Sequence, residues 1–451
     1  MLEVRKLKQV TKKGVSGILA FVLLITSLLI QPFTVNAQDV LDLNAESAIL
    51  VDAESGKILY AKNPDIALPP ASMTKMMTEY LVLEAIENGV ISWDTTTQIS
   101  DYAYRISANV LFSGVGLTQN KDYNVRELYN AMAVFSDNAT TIALAELIAG
   151  SEGEFVKMMN DKAEELGLSE YKFVNSTGLD NESLGDDAPE GTDPNATNLL
   201  SARSAAQLAY HLVNDFPHAL DISSQTVVEF EGYTIENLNW MLPHEATFLQ
   251  QFHYEGMDGL KTGHTTLAGY TFTGTAERNG KRLITVVMKT SSKEERFRET
   301  AKLLDYGFNN FGTEELFAAG SQLEDQKTLP VAKGKEEEVS ISIADAISLP
   351  IKSSQKDSFK LEFKIDESKL NEDGELVAPI EKGDKVGTAT LVYVGDEPDY
   401  GYLFDQEDIT VDVVSEDSVE KANWFVLMLG GIGDFFSNLF SNAVDWFKGL
   451  F

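Results

Sequence analysis

From Ser72 to Gly89 the apolar residues Met76, Met77, Tyr80, Leu81, Leu83 and Ile86 recur three and four positions apart, which predicts a helix entered through Pro69-Pro70. Upstream, residues 47–62 (SAILVDAESGKILYAK) form two β-prone runs around Glu54-Ser55-Gly56, the pattern of a hairpin. Helical spacing returns near 125–149, 152–166 and 201–213. Strand patterns follow at 268–276 and 282–288, joined by the turn Arg278-Asn279-Gly280, and a charged helix is expected over 292–309. A hairpin, a helical middle, a second hairpin and a last helix imply the α+β class, an antiparallel sheet with helices packed on it.

The pattern changes after Gly312. Residues 313–415 carry short alternating runs such as Phe359-Lys360-Leu361-Glu362-Phe363-Lys364-Ile365, which predict a small sandwich-like β domain. It concentrates no chemical groups and reads as a stalk or spacer. The remainder, 416–451, ends in a run where Ile432, Phe435, Phe436, Leu439, Phe440, Ala443, Val444, Phe447, Leu450 and Phe451 share one helical face. Asp434, Ser437, Asn438, Ser441, Asn442, Asp445 and Lys448 lie on the other, so residues 432–451 are expected to rest in a membrane interface rather than span it. At the opposite end, Arg5, Lys6, Lys8, Lys12 and Lys13 precede the apolar run Val15 to Ile30 and the small-residue site Val35-Asn36-Ala37. Residues 1–37 therefore read as an export signal cleaved after Ala37.

A chain of 451 residues with 43% apolar positions can bury two or three domains, here a main domain over 38–312 and the β domain. Its net charge of −34 repels phosphate backbones and excludes nucleic acid as a partner. It has no cysteine, which removes disulfides, thiol catalysis and Cys-ligated zinc. The five histidines (His211, His218, His244, His253, His264) show no metal-helix spacing, so neither a metal nor any other cofactor is expected.

Three short motifs carry chemistry. In Ser72-Met73-Thr74-Lys75 the serine and lysine share a helix face, so a lysine amine can serve as base to the hydroxyl once burial or a second cation lowers its pKa. A capped surface helix would give the same four residues. Ser136-Asp137-Asn138 offers a hydroxyl for proton relay and an amide for substrate, or else an N-cap for a helix beginning at Ala139. Lys261-Thr262-Gly263, followed by His264, is expected on an edge strand along which an extended peptide can lie. There the cation and hydroxyl would hold a carboxylate, and the glycine would clear room for substrate.

In this order and spacing the trio resembles the signature of penicillin-binding proteins and class A β-lactamases. Within that group the chain is similar to the low-molecular-mass serine D-alanyl-D-alanine carboxypeptidases. The similarity is carried by Pro69-Pro70-Ala71-Ser72-Met73-Thr74-Lys75, Phe173-Val174-Asn175-Ser176-Thr177-Gly178-Leu179 and Asp258-Gly259-Leu260-Lys261-Thr262-Gly263-His264-Thr265. The resemblance implies a penicillin-binding/β-lactamase-like domain that removes the terminal D-alanine from peptidoglycan stem peptides ending in D-Ala-D-Ala, with β-lactams as inhibitors. It implies Ser72 as nucleophile, Lys75 as base and Ser136 as proton shuttle, with Asn138 on the substrate amide. Lys261, Thr262 and Arg296 would hold the terminal carboxylate, and the backbone N–H groups of Ser72 and His264 would form the oxyanion hole. Two other readings compete. A β-lactamase would need a glutamate followed four residues later by asparagine, whereas Glu170 and Asn175 are five apart. A non-catalytic wall-binding homologue would be expected to have lost Ser72 or Lys75, and both are present.

Overall fold

The structure is a computed structural model, described here for residues 41–323, 326–405 and 408–423. The expected export signal, 1–37, and the expected interfacial helix, 432–451, lie outside the described residues. Among the described residues no helix is long and apolar enough to cross a membrane.

The main domain is built on strands β1 (Ser47–Asp52) and β2 (Ile58–Lys62), helices α1 (Lys75–Glu87), α2 (Val125–Asn130), α3 (Asn138–Ala149), α4 (Glu152–Glu165) and α5 (Ala202–Asp215), strands β3 (Met257–Thr265), β4 (Gly269–Arg278) and β5 (Lys281–Thr290), and helix α6 (Lys293–Asn310). The five strands form one antiparallel sheet in the order β2-β1-β5-β4-β3, with β3 at an edge. All six residues of β1 are buried, so the strand reads as the run Ala48-Ile49-Leu50-Val51 instead of alternating with polar residues. Ile49 and Val51 face the helical lobe and pack in one cluster with Met76, Leu208 and Leu212. From the opposite face Leu50 and Leu283 press on α6 at Gly307, where an added Cβ would lie 2.6 Å from Leu283 Cδ1. Helices thus cover both faces and leave edge strand β3 free to border a cleft.

The structure departs from the helix expected over 125–149. The chain leaves α2 through a five-residue π turn at Ala131–Phe135 and reaches Ser136 in the left-handed conformation, φ 66°. It then restarts as α3 behind Asp137, whose carboxylate caps Thr140 N at 2.6 Å. Apolar periodicity continues across this break, so the sequence marks it only through the N-cap reading of Ser136-Asp137-Asn138.

The C-terminal domain begins without a linker, because β6 (Phe311–Phe317) starts as α6 ends. β7 (Thr328–Ala332), β8 (Glu338–Ile343), β9 (Ile347–Lys352), β10 (Phe359–Ile365), β11 (Leu376–Val377), β12 (Lys385–Tyr393) and β13 (Thr410–Ser415) complete it. They form a six-stranded sheet, β10-β12-β13-β8-β7-β11, and the pair β6-β9 around a core that includes Leu329, Ile341, Ile343, Ala389 and Val413. The boundary expected at 415/416 needs correction. Val419 is 2% exposed within this core and pairs with Ile380, and Lys421 pairs with Gly334, so residues 416–422 belong to the β domain.

The loop between β12 and β13 reaches back to the main domain. Lys57 pairs with Asp399 at 2.9 Å, Ile58 N donates to Gly401 O at 2.9 Å, and Leu403 N donates to Gly56 O at 2.9 Å. Leu403, 2% exposed, joins the core of the helical lobe, and its carbonyl accepts from Gln207 Nε2 at 2.8 Å.

Candidate active site

The three motifs meet at one cleft of about 410 Å³ whose wall includes Ser72, Ser136, Asn138, Thr262, Gly263 and His264. Ser72 lies in the 3-10 turn Ala71–Thr74 that leads into α1, and Lys75 is the first residue of that helix. Lys75 is fully buried. Its Nζ is 2.8 Å from Asn138 Oδ1, 2.7 Å from Thr177 O and 3.1 Å from Ser72 Oγ. The first two atoms can only accept, so they take the two N–H bonds of a neutral amine and leave its lone pair facing the Ser72 hydroxyl. Burial, and after it the charge of Lys261, holds the Lys75 pKa well below the usual lysine range, which favours that neutral form.

Thr177 O owes its position to a turn that the motif reading passed over. Asn175 Oδ1 accepts from Thr177 N (3.1 Å), Thr177 Oγ1 (3.0 Å) and Gly178 N (2.7 Å). Gly178, at φ 86°, lies so close to Ala71 O that no Cβ fits between them. An Asn followed by Ser-Thr-Gly is a turn signal that could have marked this segment as part of the site. It also removes Asn175 from any β-lactamase-like pairing, and Glu170 is exposed at the surface.

Ser136 is held in its left-handed conformation with a buried Oγ that meets no hydrogen-bond partner among the described residues. Asn138 is engaged at both ends of its amide: Oδ1 accepts from Lys75, and Nδ2 donates to Ser113 O at 3.1 Å. Its geometry in the free enzyme is that of a lysine-orienting group, a contact the motif reading did not foresee. Asp137 serves as N-cap to α3, as the alternative reading of Ser136-Asp137-Asn138 expected.

On β3, Thr262, Gly263 and His264 pair with Phe272, Thr271 and Tyr270 of β4. The expectation that Gly263 clears room for substrate is corrected. A Cβ there would point at Thr271 Oγ1 and sit 2.5 Å from Pro70 O, so the glycine lets β3 close onto the turn that bears Ser72. Lys261 is buried behind the cleft wall, 2% exposed, and burial with the Arg296 charge lowers its pKa to about 8 against the opposing pull of Glu79. Arg296, on α6, borders the cleft and donates from Nη1 to Gly263 O at 3.0 Å, while its buried Nε has no partner among the described residues. Burial lowers its pKa to about 10, still a cation at neutral pH. Arg298 lies on the exposed side of the same helix. The charged residues of the cleft wall are Lys293 and Arg296, both cationic in a chain of net charge −34, which suits an anionic substrate.

Residues 32–292 match the D-alanyl-D-alanine carboxypeptidase family, peptidase S11, and residues 311–421 match the penicillin-binding protein 5 C-terminal domain. D-alanyl-D-alanine carboxypeptidase DacF of Bacillus subtilis (strain 168) is 32% identical over 351 residues, 77% of this chain and 81% of that protein. Among solved structures, a peptidoglycan synthesis regulatory factor (PBP3) from Streptococcus pneumoniae superimposes with a TM-score of 0.63 at 35% identity, covering 83% of this chain and 99% of that one. Penicillin-binding protein D2 from Listeria monocytogenes, solved in an ampicillin-bound form, gives 0.51 at 34% identity over 59% of this chain and 98% of its own.

Proposed function

The chain belongs to the D-alanyl-D-alanine carboxypeptidase family of low-molecular-mass penicillin-binding proteins, and from that premise we propose how its residues divide the work of a serine-type carboxypeptidase. Ser72 Oγ attacks the carbonyl carbon of the penultimate D-alanine while its proton passes to the neutral Lys75 amine. The N–H groups of Ser72 and His264 receive the oxyanion. The proton then travels by way of Ser136, whose hydroxyl has no competing partner, to the amine of the departing D-alanine. Water hydrolyses the Ser72 ester and restores the enzyme. Thr262 and Arg296 read the terminal carboxylate at the cleft wall, and Lys261 adds its charge from behind.

The observation that carries this reading is the Lys75 amine, stripped of solvent and held by two acceptors with its lone pair toward Ser72. The same acylation by a β-lactam stalls when water fails to clear the ester. Release rates from a labelled penicillin therefore test the assignment: a carboxypeptidase holds the penicilloyl group far longer than its own acyl-peptide, whereas equal, rapid release of both would favour a β-lactamase.

The place of action extends this proposal. Residues 1–37 would direct export and 432–451 would rest in the outer face of the cytoplasmic membrane. The latter segment has Lys448 against Asp434 and Asp445, so its apolar face and not lipid charge would hold it. Vesicle binding of the chain, but not of one ending at Asn423, should survive high salt; release by salt alone would contradict the anchor.

A further inference from the structure

Behind Ser72 lie three buried ionisable side chains: Lys75 and Glu79, one turn apart on α1, and Lys261 on β3, against which α1 packs. Their exposures are 0%, 4% and 2%. Two amines and one carboxylate removed from water cannot all be charged without an uncompensated cation, and buried charges persist only when paired. Two other acids face Lys75, but neutral donors already occupy them. Asp137 accepts from Thr140 N and Val115 N, and Glu152 accepts from Ser176 N at 2.8 Å and Tyr102 Oη at 2.7 Å. Burial pushes the Glu79 carboxyl up to about 7 against the opposing pull of Lys261 and then Lys75, so it is the carboxylate on the alkaline side of neutrality. Tyr129 of α2 feels the Glu79 charge in turn, and Arg296 faces Lys261 from α6.

We propose that Glu79 is a positioning residue for acylation: its carboxylate balances the charge of Lys261, so that Lys75 is the amine left neutral to take the Ser72 proton. Glu79 touches neither substrate nor reacting atoms and acts through the two lysines. The inference rests on the roles of Ser72, Lys75 and Lys261 given above. In its terms, Lys75 losing its proton opens the pH window for acylation, and Lys261 losing its own closes it near pH 8.

The sign of the effect follows from charge. Glu79 favours the protonated form of both amines, so its removal lets each lose its proton at lower pH. The test is the second-order rate of acylation of the full chain by a fluorescent penicillin between pH 5 and 10. In Glu79→Gln the alkaline limb, set by Lys261, should move toward acid by about one unit, the low end for a nearby opposite charge, and the acid limb by less, because Glu79 is the weakest of the charges acting on Lys75. Glu79→Asp, which keeps the charge, should return the limbs toward the wild-type positions. Should Glu79→Gln fail to fold, Glu79→Met fills a similar volume without burying an amide and carries the same expectation. A Glu79→Gln or Glu79→Met profile lower in height but unmoved in position overturns the inference and leaves a packing role. Labelling at Ser72 in the wild-type chain keeps that outcome separate from a failure of the assigned mechanism.

Discussion

Replacing Gly263 by alanine adds one methyl group to a place where β3 rests against the nucleophile's own turn. The new Cβ would lie 2.5 Å from Pro70 O and closer still to Thr271 Oγ1. Restoring an ordinary carbon–oxygen contact of about 3.3 Å requires β3 and the Pro70–Ser72 turn to part by roughly 0.8 Å. Overpacking of this kind costs about 1–3 kcal/mol, which for a domain of this size is a fall of about 2–12 °C in Tm. The larger consequence is for chemistry. Thr262 and the His264 N–H move with β3 away from Ser72, and a misplacement near 1 Å can cost about 10²-fold in rate. Acylation by a labelled penicillin should therefore drop about 10²-fold at temperatures where circular dichroism still reports a folded protein. Gly312→Ala is the control, since its nearest neighbour would be Glu314 Oε1 at 4.0 Å and no strain is expected. Normal acylation by Gly263→Ala, or an equal loss in the control, would refute the claim that this glycine sets the spacing of strand and nucleophile.

Lys75→Arg keeps the charge but cannot present a neutral lone pair, and stopped-flow acylation should fall by at least ~10²-fold. Amidating the C-terminus of a D-Ala-D-Ala peptide removes the charge that Arg296 is proposed to meet; at about 1.5–3 kcal/mol for a charged hydrogen bond, kcat/KM should fall about 10- to 100-fold, and equal turnover of acid and amide would remove Arg296 from that role. Leu403→Ala empties a buried site where the β domain grips the helical lobe, so about 2–5 kcal/mol of stability should be lost in denaturant titration while the Ser72 adduct still forms.

Much of this architecture was legible in the chain because periodicity reports burial directly. The 47–62 hairpin, the helix after Ser72, the paired strands about Arg278-Asn279-Gly280 and the helix over 292–309 lie where their spacing implies. What escaped depends on contacts between distant segments. The break at 131–137 is masked in the periodicity by buried apolar residues on both sides and shows in the sequence only as the N-cap alternative at Ser136-Asp137-Asn138. That Asn138 orients Lys75, and that Thr177 O completes its ligation, follows only once α3 and the Asn175 turn are brought against α1. Gly263 was legible as a residue that must lack a side chain, but the object it makes room for is Pro70, nearly two hundred positions earlier. The loop that carries Leu403 has no periodic pattern of its own, and its docking on Gly56 could not be read from its composition.

The account turns on one atom, Ser72 Oγ, as the site of a covalent acyl-enzyme. Mass spectrometry of the chain after exposure to a penicillin, followed by peptide mapping, addresses it directly. The account predicts a single penicilloyl adduct on Ser72 and none on the Ser72→Ala protein, which should also release no D-alanine from a D-Ala-D-Ala pentapeptide. An adduct mapped to Ser136, or one that persists in Ser72→Ala, would contradict it.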